Sequence, residues 1–491
     1  MKKIKLLAWA FAALVGMSGC GDFGDLTVDP NNPSSPETRF LFTRACMDVY
    51  TFAYNDNYNP WTQLFPQYLS ERQNIQYSNF ALQDFDTRAY YYRILQNLKE
   101  IITLNTDEAT MNESYVLQLG SNNNQIAVAR TLRAYYFMHL TDVLGMIPYS
   151  EALLGEEGNF TPKYDTQEEI YTDLDKELTE AYAQFEDGGD FNTTYDILYG
   201  GDIAKWKKLN ASLRMMMAIK LSDVAPQTGQ ERFARAYADG GMTDNEDALV
   251  YNFVNEETNQ NPLYDNMIVG ARRDFAPSKT ILDQLIAYND PRLEAYADPN
   301  SEGQYEGVPF GILQSDISNY QDCAVFDPRY YEAQNTPITI ISPSHILLIQ
   351  AEAAVRGWID ASQAENFYRQ GIQASFGQYS DVIDDSDFAP YYAQPEIAFT
   401  GSDQEKIEKI AMQRWLANFM QDGVEAWSDW RRLNVPKIYP GVSASISHIP
   451  YRRIYYPDDY STNMANYEAA IAAQGADSFE TRVWWDVADN D

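Results

Sequence analysis

The chain has 491 residues, 45% of them hydrophobic, so it can bury a large core and is not an intrinsically disordered protein. Its 71 acidic residues against 36 basic ones give a formal charge of −35, which argues against nucleic acid as a partner, because phosphates are neutralised by surplus Lys and Arg. Three cysteines exclude a disulfide-rich scaffold. The 36 Tyr, 23 Phe and 9 Trp are the most unusual feature, since such rings either pack helices together or present flat faces to a ligand.

The first twenty residues predict export and lipidation. Three lysines within the first five residues precede the apolar stretch Leu6–Val15, which is too short to span a membrane and is typical of a secretory signal. Gly16–Cys20 is similar to a bacterial lipobox, with Met17 where such motifs usually carry Leu. We therefore predict a signal peptide over residues 1–19 and lipidation of Cys20; an ordinary signal with a chance cysteine is the alternative. Cleavage would remove three lysines and no acidic residue, which changes the charge from −35 to −38.

No later segment contains the ~18 consecutive apolar residues that a membrane-spanning helix needs, so attachment to a membrane is predicted through acyl chains only. Residues 20–36 are rich in Gly, Pro, Asn and Asp and predict an extended tether. From residue 37 onward, helix start signals precede apolar residues at steps of three and four. They are the capping boxes Thr166–Glu169 and Ser402–Glu405, and a cap with a first-turn proline at 342–343.

Two helix pairs, 122–144 with 166–186 and 344–356 with 363–376, resemble tetratricopeptide units, in which each pair buries its face against a neighbour. The stretches between the helices are predicted to be irregular, with small local structure such as a strand at Ile338–Ile341. These stretches are 54–80, 225–277, 289–341, 377–401 and 433–464. No linker divides the chain. The prediction is one large, mainly α domain over residues 37–491 with long loop-rich insertions.

Motifs that carry catalysis are absent from the sequence. It has no nucleophile elbow, no Gly-rich phosphate loop and no paired-histidine zinc motif. His139, His345 and His448 are about a hundred or more residues apart, so each is predicted to be a packed or surface histidine. We predict a protein without a metal, a cofactor or catalytic activity. A glycosidase stays open, because it needs only two positioned carboxylates.

Two smaller features leave alternatives open. Four aspartates within residues 381–387 could hold calcium through oxygen ligands, but they lack the glycine and closing glutamate of an EF-hand, which favours a solvated acidic loop. Cys46 and Cys323 have no metal-ligand spacing and are predicted to be free buried thiols. A long-range disulfide is the alternative in an exported protein.

Seven segments follow one another over nearly the whole mature chain: Leu26–Pro36, Ala127–Leu153, Pro162–Leu178, Gly201–Ser222, Gln350–Trp358, Gln413–Pro436 and Arg452–Ile471. In this order they resemble the SusD/RagB family of outer-membrane nutrient-binding lipoproteins, in its SusD-like branch. The resemblance implies a helical fold built on four tetratricopeptide-like units. It also implies a lipid-anchored protein at the cell surface, and Asp22 and Asp25 are similar to the acidic signal that exports such lipoproteins.

The resemblance further implies a function and a partner. Such a protein binds a polysaccharide or oligosaccharide without cleaving it and sits as a lid on a TonB-dependent, SusC-like β-barrel transporter. Two other functions stay open, a surface glycoside hydrolase and the peptide-binding lid of a peptide importer. The charge of the mature chain favours a neutral glycan, because an acidic surface repels sulfated or uronic-acid-rich polymers.

The resemblance does not carry over ligand-binding residues, so the candidate sugar site rests on chemistry. A sugar site needs a ring that stacks on the C–H face of a pyranose and polar side chains for the hydroxyls. The loops 54–77 and 296–331 interleave both types. The candidate residues are Tyr58, Trp61, Arg72 and Tyr77 in the first loop and Tyr305, Tyr320 and Arg329 in the second. Trp61 is predicted to be the exposed stacking ring; ordinary packed loops or a transporter interface are the alternative.

Three tryptophans at helical spacing near the end of the chain are not predicted to bind a sugar. Trp415, Trp427 and Trp430 are expected to belong to the core rather than to a ligand platform.

Overall fold

The computed structural model describes residues 36–55, 60–81 and 84–488, and helices dominate them. The longer helices are α1 Thr38–Cys46, α2 Gln96–Thr106, α3 Asn122–Leu144, α4 Gln167–Gln184, α5 Ile203–Lys220, α6 Pro226–Asp239, α7 Lys279–Ala287, α8 Pro343–Val355, α9 Ala364–Gly377, α10 Asp403–Ala417, α11 Gly423–Leu433 and α12 Met464–Gln474. Shorter helical turns that matter below are Val49–Phe52, Trp61–Leu64, Tyr90–Leu95, Glu257–Asn259 and Asp265–Val269. The predicted signal peptide, Cys20 and nearly all of the tether lie outside the described residues.

The longer helices pack in sequential pairs. Both predicted pairs are confirmed, since α3 packs on α4 and α8 packs on α9, and α5 packs on α6 in the same way. Both predicted capping boxes are closed, with the hydroxyls of Thr166 and Ser402 each accepting a hydrogen bond from the N–H three residues on. Ser342 caps α8, whose first residue is a proline, as predicted. The fold class is confirmed: one mainly helical domain.

The prediction of an irregular stretch over 225–277 is wrong for α6. This helix begins with Pro226 and buries Gly229, Phe233 and Ala236. Its sequence is mostly polar, so its few apolar residues give only a weak helical periodicity. Packing against α5, rather than the local pattern, stabilises this helix.

Short strands join parts of the loop-rich stretches that are far apart in the chain. They are β1 Leu69–Glu71, β2 Asp84–Phe85, β3 Ile147–Pro148, β4 Tyr164–Asp165, β5 Leu249–Tyr251, β6 Phe275–Pro277, β7 Ala297–Asp298, β8 Val325–Phe326, β9 Ile338–Ile341 and β10 Ile454–Tyr455. The predicted strand is β9, which pairs antiparallel with β5. β1 pairs antiparallel with β6, and β10 pairs parallel with β2. These pairings bring residues 275–277 to residues 69–71 and residues 454–455 to residues 84–85.

The core confirms the predictions for the tryptophans and the cysteines. Trp415, Trp427 and Trp430 are 2%, 0% and 2% exposed. Cys46 and Cys323 are both free and buried, so the disulfide alternative is wrong. Among the described residues, no helix combines the length and the apolar character needed to cross a membrane.

Candidate ligand-binding groove

Two adjoining cavities form one groove on the described part of the chain. The first chamber has a volume of about 360 Å³, and its ring-bearing lining residues are Trp61, Phe85, Tyr90 and Tyr456. The second has a volume of about 510 Å³, and its lining includes Arg44, Tyr50, Asn259, Gln260 and Asp265. Asp48, Asn55 and Arg93 line both chambers, so the chambers meet at these residues, which we call the junction. Each volume lies in the range of ~300–1,000 Å³ that small-ligand sites occupy.

The first chamber has a wall of fixed aromatic rings. Tyr90 opens the short helix Tyr90–Leu95 and stacks on Phe52, with ring centroids 5.0 Å apart and an angle of 20° between the rings. Phe52 stacks in turn on His139 at 4.5 Å. On another side, the guanidinium of Arg88 lies 4.7 Å from the ring centroid of Tyr456. Such packing holds the rings in place before a ligand arrives.

The junction combines a charged pair, a donor and an acceptor. The Asp48 carboxylate accepts a hydrogen bond of 2.8 Å from Arg44. Arg93 is exposed, and its guanidinium makes no hydrogen bond or ion pair with any residue that the structure describes. The side-chain oxygen of Asn55, Oδ1, is buried and has no hydrogen-bond partner among the described residues. The junction therefore offers the Arg93 guanidinium as a donor that no described residue uses.

A buried clamp holds the chain that leads to Asn55. Gln63 donates from Nε2 to the carbonyls of Ala53 at 2.7 Å and of Gln421 at 2.8 Å, and its Oε1 accepts from the N–H of Met420 at 3.1 Å. Thr62 donates to the same Ala53 carbonyl at 2.9 Å. The clamp ties the groove segment to the connection between α10 and α11.

The structure corrects the prediction for Trp61, while Tyr58 lies outside the described residues. Trp61 is 2% exposed and makes edge contacts with Phe65, Phe85 and Trp427 at centroid distances of 5.4, 5.6 and 6.0 Å. It is therefore a core residue whose edge reaches the first chamber, and the prediction of an exposed stacking ring is wrong. An aromatic residue in a polar-rich segment predicts an exposed ring, but the segment turns inward at the helix Trp61–Leu64, whose four residues are all buried.

The other predicted residues of the first loop lie beside the groove and do not line it. Arg72 is buried and donates to the carbonyl of Gln321 at 2.7 Å, which brings the two predicted loops together. Tyr77 is half-buried, and its N–H donates to the carboxylate of Glu71 at 3.0 Å. The same carboxylate oxygen of Glu71 accepts from the N–H and the hydroxyl of Ser78. Burial raises the pKa of Glu71 to about 7, against the lowering effect of these hydrogen bonds.

The second predicted loop also packs outside the groove. Tyr305 is half-buried against the main core, and Tyr320 packs on a small separate cluster that contains Ala276 and Val308. Arg329 pairs with Asp327 at 2.9 Å and with Asp381 at 3.1 Å. In the acidic loop, Asp384 and Asp387 close a capping box.

A buried ionic cluster lies beneath the aromatic wall, and the sequence analysis missed it. His139 Nε2 lies 3.0 Å from the carboxylate of Asp422, and Glu425 completes a group whose ligand atoms lie within 4.8 Å of one another. This geometry is compatible with a metal ion, but the ammonium of Lys220 already donates to Glu425 and to Asp142. Burial lowers the pKa of His139, yet the Asp422 carboxylate outweighs this effect and holds the pKa above its ordinary value. No local pattern signals the cluster, because His139 and Asp422 are 283 residues apart in the chain.

Comparisons with known proteins identify a matching family and similar solved structures. A family model described as SusD-like, "Starch-binding associating with outer membrane", matches residues 30–457. A solved structure described as a chitin-binding protein is 27% identical, with a TM-score of 0.75 over 92% of this chain and 100% of that one. A chitin-binding SusD homologue from Flavobacterium johnsoniae is 23% identical, with a TM-score of 0.75 over 93% of this chain and 98% of that one. A SusD-like protein described as Bacteroidetes AC2a is 24% identical, with a TM-score of 0.77 over 92% of this chain and 100% of that one.

No curated protein matches the chain. The family model spans most of the sequence, and the structural matches extend over nearly the whole length of each solved structure compared. The chain therefore belongs to the SusD-like family of starch-binding, outer-membrane-associated proteins.

Proposed function

We propose that this protein is a cell-surface lipoprotein, anchored through Cys20 at the outer membrane, that binds a glycan in the groove. It then passes the glycan uncleaved to a TonB-dependent, SusC-like transporter. The observation that carries the proposal is the groove itself, which has the half-buried ring of Tyr456 in one chamber and polar side chains at the junction. Sugars need this combination, because their C–H faces stack on rings and their hydroxyls exchange hydrogen bonds with amides, carboxylates and guanidinium groups.

The family and one relative support a carbohydrate ligand. The family is described as starch-binding, and the relative at 27% identity is described as chitin-binding. The formal charge of the chain, −35, supports a neutral glycan as ligand, because the charged residues that line the groove have no net positive charge that would attract an anionic one. Its charged lining residues are the acids Asp48, Asp86, Glu257 and Asp265 and the bases Arg44, Arg93 and Arg453.

The lowered pKa of Asp86, a carboxylate that lines the groove, favours binding without cleavage. A glycosidase needs a carboxylic acid whose pKa is raised, so that it can protonate the leaving group near neutral pH. Asp86 has the opposite environment, because hydrogen bonds from Arg88 at 2.7 and 2.9 Å hold its pKa below the ordinary value. Asp48 is likewise engaged by Arg44.

The predicted loop residues enter the proposal as a flanking surface. Arg72 joins the two loops, and Tyr77, Tyr305, Tyr320 and Arg329 are half-buried, so each leaves part of its side chain accessible. We propose that this surface contacts either the remainder of a long glycan or the transporter. Tyr58 stays a predicted sugar contact.

Titration calorimetry of residues 21–491 against a panel of neutral glycans tests the proposal, with Arg93→Ala as the groove variant. Arg93 is exposed and its guanidinium pairs with none of the described residues, so its removal should leave the fold intact and weaken binding about fivefold or more. Arg235→Ala on α6 is the matched control, because that arginine is also exposed and lies outside the groove lining. New reducing ends in the mixtures would favour the hydrolase, and peptide binding without a response to any glycan would favour the peptide lid.

The proposed partner has its own test. A tag on the C-terminus, followed by gentle solubilisation of native outer membranes, should copurify a large β-barrel protein with the lipoprotein. Cys20→Ala should abolish membrane attachment while leaving glycan binding by the purified protein unchanged. Recovery of the protein without a barrel partner would contradict the transport proposal.

A further inference from the structure

The loop that follows α11 carries an apolar surface outside the groove. The side chains of Tyr439 and Val442 are 70% and 78% exposed, and no other large hydrophobic side chain that the structure describes is more exposed than Val442. Leu313, in the segment 307–315, is 44% exposed. None of the three residues lines either chamber of the groove. We call Leu313, Tyr439 and Val442 the apolar tip.

Backbone hydrogen bonds fix the turn that carries Val442. The N–H of Ala444 donates to the carbonyl of Gly441 at 3.0 Å, which closes a four-residue turn with Val442 in its second position. The N–H of Ser443 donates to the carbonyl of Gly311 at 3.0 Å. The turn is therefore bound to the same segment that carries the third residue of the apolar tip.

Close packing and one side chain hold the same loop in place. A Cβ atom at Gly441 would lie 2.0 Å from the carbonyl oxygen of Phe310, so only glycine permits this approach of the two backbones. The Nε2 atom of Gln67 donates to the carbonyl of Tyr439 at 2.6 Å. A surface that is held in this way needs little ordering when a partner binds, which lowers the entropic cost of association.

The apolar tip lies in uncharged segments of a strongly acidic chain. Asp and Glu account for 71 of the 491 residues, yet residues 438–447 and 307–315 contain no charged residue at all. Protein–protein interfaces have few charged residues at their centre and are enriched in aromatic ones. The physical reason is that a charged group loses its water when a partner covers it, and a partner without a matching charge does not compensate for that loss.

We propose that the apolar tip docks this protein against an uncharged, apolar face of the transporter. The inference rests on the proposed function and assigns a surface to that contact. A second copy of the chain fits poorly, since two molecules of formal charge −35 repel each other. A glycan fits poorly as well, because Leu313 and Val442 lack a ring on which a sugar stacks, and these segments lack the charged groups that bind sugar hydroxyls. A folded protein with an apolar face covers all three side chains together.

Charge substitutions at Val442 test the contact in native outer membranes. Val442→Asp and Val442→Lys each place a charge on the turn, and each should reduce the transporter that copurifies at least about tenfold, because the apolar face offers no counter-charge. Val442→Thr keeps nearly the same shape without a charge and should retain most of the copurified transporter. Mass spectrometry of the copurified band identifies the β-barrel protein.

Phe160→Asp is the matched control for a new charge at an exposed apolar side chain. Phe160 is 75% exposed, but it follows the stretch 151–157, which contains three glutamates. A partner that covered Phe160 would also have to cover these carboxylates, so this side chain is not expected to lie in an interface. Copurification of the transporter should therefore stay at the wild-type level in Phe160→Asp.

Photocrosslinking identifies the molecule that covers the apolar tip. Tyr439→benzoylphenylalanine places a photoreactive ring at the tip, and illumination of intact cells should join this protein to the transporter. Phe160→benzoylphenylalanine should give no such product. A product of twice the mass of this chain would indicate a second copy at the tip and would overturn the inference.

Measurements on purified residues 21–491 separate docking from folding and from glycan binding. Val442 is exposed and lies outside the groove, so its variants should keep the wild-type melting temperature and glycan affinity. Weaker glycan binding by Val442→Asp, unchanged copurification in that variant, or stronger copurification in Val442→Lys would each overturn the inference and leave the proposed function standing. A wild-type protein that copurifies no barrel would overturn both.

Discussion

We expect the clamp at Gln63 to affect both stability and ligand binding, because it links the fold to the geometry of the groove. Gln63 is fully buried, and its three hydrogen bonds join Ala53 to the connection between α10 and α11. Gly423 at the start of α11 packs so closely on this segment that a Cβ atom there would lie 1.9 Å from the carbonyl oxygen of Thr62. Little water can therefore replace the lost hydrogen bonds.

The expected cost of Gln63→Met follows from the groups that it leaves unpaired. Methionine fills nearly the same volume, so a cavity contributes little. The carbonyl of Ala53 keeps its bond from Thr62, but the Gln421 carbonyl and the Met420 N–H lose theirs, at ~1–3 kcal/mol for each buried group. We expect a loss of about 2–5 kcal/mol in the free energy of unfolding, and a larger loss for Gln63→Ala, which also creates a cavity.

Urea unfolding followed by tryptophan fluorescence and by far-UV circular dichroism measures this loss, and coincident curves test whether the transition has two states. Gln404→Ala on α10, at an exposed glutamine, is the control. Because Asn55 follows Ala53 by two residues, we expect glycan affinity to fall about fivefold in Gln63→Met, equivalent to ~1 kcal/mol. A stability loss below ~1 kcal/mol would refute the role of the hydrogen bonds. A normal glycan affinity in a destabilised variant would refute the link to the groove.

Three further predictions follow from burial. Trp61→Ala should lower stability by about 3–5 kcal/mol in thermal or urea unfolding, because it leaves a cavity in the core. Unchanged stability would indicate that the Trp61 ring is exposed instead. Burial raises the pKa of Glu71 to about 7 and of Asp486 to about 6, so both bind protons more tightly in the folded chain. The contribution of Glu71 is present below its ordinary pKa of 4.5 and is lost as the pH rises to about 7, and that of Asp486 is present below 3.8 and is lost as the pH rises to about 6. Stability should fall by roughly 1 kcal/mol per pH unit for each group within its own window. Glu71→Gln should flatten this slope in urea titrations at several pH values, and a slope equal to that of the wild type would contradict the assignment. In residues 21–491, Cys46 and Cys323 should react with a thiol reagent only after unfolding, and rapid reaction of the native protein would show that they are accessible.

Short-range signals in the sequence determined much of the helical framework. A capping box fixes where a helix begins because its donors and acceptors lie within three residues, and the boxes at Thr166 and Ser402 are closed as predicted. The tryptophans of α10 and α11 were assigned to the core because helical periodicity marks a buried face. α6 was missed because few of its side chains are apolar, and its stability comes from contact with α5.

The candidate site was decided by the tertiary structure. Asp48, Asn55 and Arg93 meet because α1 packs against the short helix Tyr90–Leu95 and Phe52 stacks on Tyr90, which brings separate segments together. The same holds for the buried cluster around Glu425. Sequence identified the aromatic and polar segment that contains Asn55, but it could not tell that Trp61 faces the core. A ring that stacks on a sugar and a ring that packs in a core have the same local sequence, because burial depends on contacts with residues far away in the chain.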